Sequence, residues 1–109
     1  MADRRHPRAD IEGAVEKSAR QFHPAKIILF GSHARGSAGP DSDVDLLIVM
    51  NVKDSRRRQA AEIDLALSDR TFPLDLIVVT PADFEKCRDV VGHILYPAVH
   101  EGKVLYDAA

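Results

Sequence analysis

Cysteine occurs once in the 109 residues, tryptophan not at all, and aromatic residues make up only 6%. A lone Cys87 can close no disulfide within the chain, and such sparing use of thiol suits a reducing compartment. Nothing near it looks like a paired base, so Cys87 reads as a helix-packing residue rather than a catalytic thiol. No apolar run approaches the ~20 residues of a membrane span. The opening MADRRHPRAD is polar and has no apolar segment of the kind a secretory signal needs. A cytoplasmic protein is expected. Positive charge is not in surplus either: 15 Lys and Arg stand against 17 Asp and Glu, for a net charge of -2. A strongly basic face for duplex nucleic acid is therefore not expected. The one dense basic run, Arg56-Arg57-Arg58, reads first as a solvated helix face and second as a contact for a nucleic acid or an acidic partner. His6, His23, His33, His93 and His100 lack the close pairing that zinc sites use. His93 and His100, seven apart, could share a helix face.

The composition that remains, 45% hydrophobic and 29% charged, is that of one ordinary globular domain over residues 1–109, with 1–9 as a flexible arm. Asp10 can cap a helix that carries Ile11, Val15, Ala19 and Phe22 on one stripe. His23-Pro24 ends it, because a residue before proline avoids the helical region. Lys26 to Phe30 is short, apolar and β-branched, as a buried strand is. Gly31-Ser32 turns the chain, and Ser32 can cap a short helix through Ala34-Arg35. Gly36 to Asp41 is dense in turn residues. Val44 to Met50 reads as a second strand. Asp54 or Ser55 can cap a helix bearing Ala60, Ile63, Ala66 and Leu67. Leu74 to Thr80 reads as a third strand, and Thr80 with Pro81 and Asp83 starts another helix. A helical pattern covers Val90 to His100 and stops at Gly102, and Val104 to Tyr106 can form a short edge segment. The expected class is α/β (α+β), a small mixed sheet covered by helices.

Against this background the aspartates stand out. Asp41, Asp43 and Asp45 occupy alternate positions, and alternate residues of a strand share a face. Two carboxylates ~6.5–7 Å apart on one face repel each other and resist burial. A cation between them removes the penalty, and all-oxygen ligation suits Mg²⁺ or Mn²⁺. Asp75 interrupts the apolar run Leu74 to Val79 in the same way. If the third strand neighbours the second, Asp75 can join Asp43 and Asp45. Three carboxylates can hold two ions ~3.5–4 Å apart, an arrangement that supports in-line displacement at phosphorus.

Gly31-Ser32 offers what a phosphate needs. Glycine lets the backbone come close, a helix start presents unpaired N–H groups, and the Ser32 hydroxyl can donate. Arg35, one turn on, can add a positive fork. Each feature alone is commonplace: a Gly-Ser pair is usually a turn, and an Asp-x-Asp is usually a solvated loop or strand end. Their conjunction carries the chemistry.

Gly31-Ser32, ten residues, then Asp43-x-Asp45 and LLIV resembles the signature of the DNA polymerase beta-like nucleotidyltransferases. GSHARGSAGPDSDVDLLIV and PLDLIVVTPADFEK together look like the minimal nucleotidyltransferases of prokaryotes, the antitoxin type of HEPN/MNT toxin–antitoxin pairs, with the likeness running from Ile11 to Tyr106. The resemblance implies the polymerase beta-like fold. It implies that Asp43 and Asp45 bind two Mg²⁺ ions and that Asp75 binds the catalytic metal and helps to deprotonate the acceptor hydroxyl. Gly31 and Ser32 would hold the β and γ phosphates of a nucleoside triphosphate, with Arg35 as a further phosphate contact. His33 lies where the family varies, and a solvated or packing role is expected rather than general base. Asp41 follows Pro40 in the loop and falls outside the ten-residue spacing, so it reads as a turn or capping residue.

The implied reaction moves AMP from ATP to an acceptor hydroxyl. Larger relatives add a helical domain for the acceptor, whereas only about thirty residues follow the third strand here. Minimal members often pair instead with a small all-helical HEPN ribonuclease toxin, and the resemblance implies that this chain adds AMP to such a partner's tyrosine, acting as the antitoxin. A homodimer, or a complex with such helical chains, would bury the apolar segment Val90 to Val99. Two alternatives compete: a binding module that neutralises its partner by complex formation alone, and a transferase for a small molecule such as an aminoglycoside or for a nucleic-acid end. The acidic balance and the missing helical domain weigh against the second.

Overall fold

The computed structural model describes residues 7–39 and 42–108. The expected arm up to residue 6 and the turn role expected of Asp41 lie outside the described residues. In chain order the elements are α1 (Pro7–Phe22), β1 (Lys26–Phe30), α2 (Ser32–Arg35), β2 (Val44–Val49), α3 (Arg56–Ala66), β3 (Leu74–Val79), α4 (Pro81–Cys87), α5 (Leu95–Glu101) and β4 (Lys103–Asp107). The strands form one mixed sheet in the order β3-β2-β1-β4. β1 runs antiparallel to both β2 and β4, while β2 and β3 run parallel across the α3 connection. The mixed α/β architecture is as expected.

The central strands β1 and β2 are largely apolar on both faces because helices cover both. Ile27, Leu29, Val44, Leu46 and Ile48 point to one face, where Ile11, Ala14 and Val15 of α1 and Ile63 of α3 cover them, joined by Leu67 just beyond α3. Ile28, Phe30, Leu47, Val49 and Val79 point to the other, under Phe84 of α4 and Leu95 and Ala98 of α5. Ile27, Leu46, Leu47, Ile48 and Ile63 are fully buried, each contributing ~1.5–3 kcal/mol by leaving water. Cys87 is half-buried against the second cluster, the packing role expected of it.

The starts of α1 and α5 depart from expectation. α1 begins at Pro7 rather than after Asp10, and the Asp10 carboxylate instead accepts from the Thr71 hydroxyl at 2.9 Å. Asp10 thereby ties α1 to the segment leading into β3. Ser55 and Thr80 cap α3 and α4 as expected, accepting from the Arg58 and Asp83 N–H groups. The helix expected over Val90 to His100 begins only at Leu95. Gly92 turns the chain with φ 95, and the Leu95 N–H donates to His93 Nδ1, so His93 precedes the helix and shares no helical face with His100. The edge segment at Val104 to Tyr106 is a full strand, β4, with a bulge where Leu105 is passed over in the pairing with β1. At Gly102 a side chain would run into the carbonyls of Ala98 and Leu29, so glycine lets the end of α5 close onto β1. Among the described residues no helix is long and apolar enough to cross a membrane.

Candidate active site

The sheet topology brings the aspartates together. Parallel pairing of β2 with β3 sets Asp45 directly opposite Asp75, flanked by the apolar pairs Val44 with Leu74 and Leu46 with Leu76. Paired residues on neighbouring strands lie ~4.8 Å apart and share a face. By alternation that face carries Leu47, Val49, Ile77 and Val79, the residues under α4 and α5. Asp43, two residues before Asp45, precedes β2. Asp45 is half-buried, whereas Asp43 and Asp75 are exposed, so the short helices leave this end of the sheet open.

Antiparallel pairing of β1 with β2 supplies the second half of the site. Phe30 lies opposite Asp45, so the chain leaves β1 beside the carboxylates. The next residue, Gly31, has φ 75 and ψ -155, a region essentially reserved for glycine. A Cβ at Gly31 would fall on the Asp45 carboxylate. Gly31, not Ser32, occupies the cap position of α2, and Ser32 is the first helical residue. The expected Ser32 cap is thus corrected, because only glycine can take the turn that aims the helix. α2 has four residues, too few for a substantial macrodipole. Any anion binding here rests on local N–H groups and the Ser32 hydroxyl. Arg35 is half-exposed and pairs with Glu101 at the end of α5, at 3.7 Å.

Charge at this end is poised for a cation. Burial, then Asp75, then Asp43 push the Asp45 carboxyl above its ordinary range, with His33 and Arg35 partly opposing. Among the described residues no three acidic, histidine or cysteine side chains close on one point as a finished metal cage. The donor set nonetheless suits hard divalent ions: Asp45 and Asp75 paired on one face, Asp43 near enough to act on the Asp45 charge, and Asp45 lodged in the space that glycine leaves. Asp43, Asp45 and Asp75 could hold such ions.

A stability signature follows. The raised Asp45 carboxyl means that the folded protein holds a proton which the unfolded chain releases near 3.8. Metal-free stability therefore falls as pH rises from there, and the cost is fully present once pH exceeds the raised value. In chelator, above the raised Asp45 value, Asp45→Asn is expected to raise Tm and to flatten this part of the pH profile. Mg²⁺ is expected to raise Tm in the wild type and less in the variant. Thermal melts from pH 4 to 8 check both.

A family model described as a nucleotidyltransferase domain matches residues 11–97. The chain belongs to this family. No curated protein matches. Among solved structures, a Sulfolobus solfataricus protein described as a nucleotidyltransferase is 20% identical, with 92% of this chain and 79% of that chain covered and a TM-score of 0.64. A toxin–antitoxin complex with AMP-PNP is 25% identical over 88% of this chain and 73% of that chain, with a TM-score of 0.56. A tyrosine-to-alanine mutant of the toxin–antitoxin pair MntA–HpeT is 26% identical over 88% and 72%, with a TM-score of 0.53. This nucleotidyltransferase therefore acts on a nucleotide substrate, and its motif residues Gly31, Ser32, Asp43, Asp45 and Asp75 meet at one end of the sheet.

Two contacts at this end carry no clear signal in the sequence. His33, expected to be solvated or simply packed, is half-buried and lies 3.3 Å through Nε2 from the Ser42 carbonyl oxygen. Glu101, on Arg35, has no local pattern to mark it, since 66 positions separate the pair. The Arg56 to Arg58 run is exposed, with Arg56 ion-paired to Asp83 at 3.7 Å, as a solvated helix face would be.

Proposed function

We propose that this nucleotidyltransferase transfers AMP from ATP, with Mg²⁺, to a hydroxyl on a small all-helical HEPN partner and acts as that partner's antitoxin in the cytoplasm. The observation that carries the reading is the in-register pair Asp45 and Asp75 beside Gly31-Ser32. The likeness to a toxin–antitoxin complex holding AMP-PNP supports both the nucleotide and the kind of partner.

Under this reading Asp43, Asp45 and Asp75 hold the divalent ions. When bound, those ions would neutralise charge on the attacking and leaving oxygens and orient the triphosphate. The protein's own groups do the rest. Backbone N–H groups at Gly31-Ser32 and the Ser32 hydroxyl bind the β and γ phosphates, and the leaving pyrophosphate stays where they hold it. Arg35, once turned from Glu101, adds a guanidinium to the same phosphates. Asp75, at the open edge of the sheet, accepts the proton of the incoming hydroxyl under the same reading. The acceptor oxygen attacks the α-phosphorus, and the bond to the β-phosphate oxygen breaks in line.

A second reading, neutralisation by binding alone, draws on the exposed Val90, Val91 and Ile94 between α4 and α5. Such a cluster fits a protein contact. Intact-mass analysis of co-purified partners after incubation with ATP and Mg²⁺ separates the two. One AMP per modified hydroxyl on a small helical protein is expected. ATP left unconsumed beside a tightly bound, unmodified partner would overturn transfer in favour of binding.

A further inference from the structure

His33 sits in the one-turn helix α2, immediately after Ser32. Its Nε2 faces the carbonyl oxygen of Ser42 at 3.3 Å. A carbonyl can only accept, so the ring nitrogen facing it carries the hydrogen and donates. Both ends of this contact are fixed by other bonds. On the helix side, the Ala34 and Arg35 N–H groups donate to the Gly31 carbonyl at 3.1 Å, and Ser37 N–H donates to the Ser32 carbonyl at 3.0 Å. On the far side, Ser42 N–H donates to the Gly39 carbonyl at 3.2 Å, and Ser42 Oγ accepts the Gly39 N–H at 2.9 Å. The residue after Ser42 is Asp43. The imidazole thus joins the Gly31-Ser32 turn to the backbone that delivers the first carboxylate.

We infer that His33 is a positioning residue, a brace that holds the lead-in to Asp43 against the phosphate turn so that the carboxylates and the phosphate contacts form as one unit. The inference rests on the reading of this end of the sheet as a magnesium and triphosphate site. Its physical basis is that Asp43 lies outside β2, where no sheet pairing secures it. Asp45, one turn of the pleat further in, is held by both neighbouring strands. Without the brace, Asp43 must be ordered by the ion itself, which weakens ion binding and the triphosphate binding coupled to it.

Two substitutions in the full chain test this. His33→Phe keeps a ring and removes the donor; His33→Gln restores an N–H at similar reach. Mg²⁺ binding is measured by calorimetry without nucleotide, and KM for ATP is measured separately from kcat. His33→Phe is expected to weaken Mg²⁺ binding and raise KM about three- to tenfold, the size of one net hydrogen bond, with kcat within about twofold. His33→Gln is expected to return both to the wild-type range. Should phenylalanine not fit, His33→Leu repeats the test. Equal Mg²⁺ binding in wild type and His33→Phe overturns the brace alone. So does a His33→Gln as impaired as His33→Phe, which would assign the effect to ring packing. A wild-type protein that takes up no Mg²⁺ overturns the site reading and the brace with it.

Discussion

Asp43→Asn combined with Asp45→Asn is expected to reduce nucleotidyl transfer by about 10³-fold or more while leaving a folded protein. The magnitude follows from the proposed metal site. Divalent ions there would contribute several kcal/mol of charge stabilisation in the transition state, and each 1.36 kcal/mol is tenfold in rate. The amides keep the shape and some oxygen donors but lose the charge that hard ions require. Folding should not suffer, because Asp45 carries a carboxyl that burial and its neighbours Asp75 and Asp43 already disfavour in ionised form. The measurement is transfer of label from α-labelled ATP onto a co-purified partner, alongside a thermal melt in chelator. The double variant should melt at or above wild type and leave the partner unlabelled. Full labelling would show that the ions are held elsewhere.

The second large effect is expected at Gly31. Gly31→Ala faces two separate obstacles. The backbone angles φ 75 and ψ -155 exclude side chains at a cost of about 1–3 kcal/mol. The new methyl group would also land on the Asp45 carboxylate. Relief comes only by moving Asp45 or by reopening the turn, and either change separates the carboxylates from the Ser32 end of α2. Activity is expected to fall at least 10²-fold, the loss typical when a reacting group is misplaced by about 1 Å, with Tm lowered by several degrees. Gly36→Ala is the comparison. It also has positive φ, 77, but open space around its Cβ, so it should cost stability with far less loss of transfer.

Strand periodicity makes much of this site legible in the amino-acid sequence. Asp43 and Asp45 alternate into an apolar run, and Asp75 interrupts another, so each announces a face and an anomaly on it. Periodicity does not supply the adjacency of the two strands. That depends on β3 lying parallel to β2 after α3, a choice made by packing of Ile63 and Leu67 over the sheet. The cap of α2 is ambiguous in the sequence because serine and glycine are both good cap residues. The backbone angles decide between them, and these are set by the exit from β1. The late start of α5 has a local cause, since Val90, Val91 and Ile94 are as apolar as helix residues, yet Gly92 turns the chain at positive φ. The Arg35 to Glu101 pair is beyond any local pattern, being made only when α5 folds back beside β1.

The register of β3 against β2 has one more implication. A slip of a single residue would throw Asp75 to the opposite face and leave Leu74 or Leu76 beside Asp45. The apolar pairs on either side favour the true alignment, while the facing carboxylates oppose it. A chain folded one step out would have much the same bulk shape and no means of gripping an ion. If the site holds an ion as proposed, ion uptake would reward only the correctly threaded edge strand, and the substrate's own counter-ion would certify the fold that is to use it.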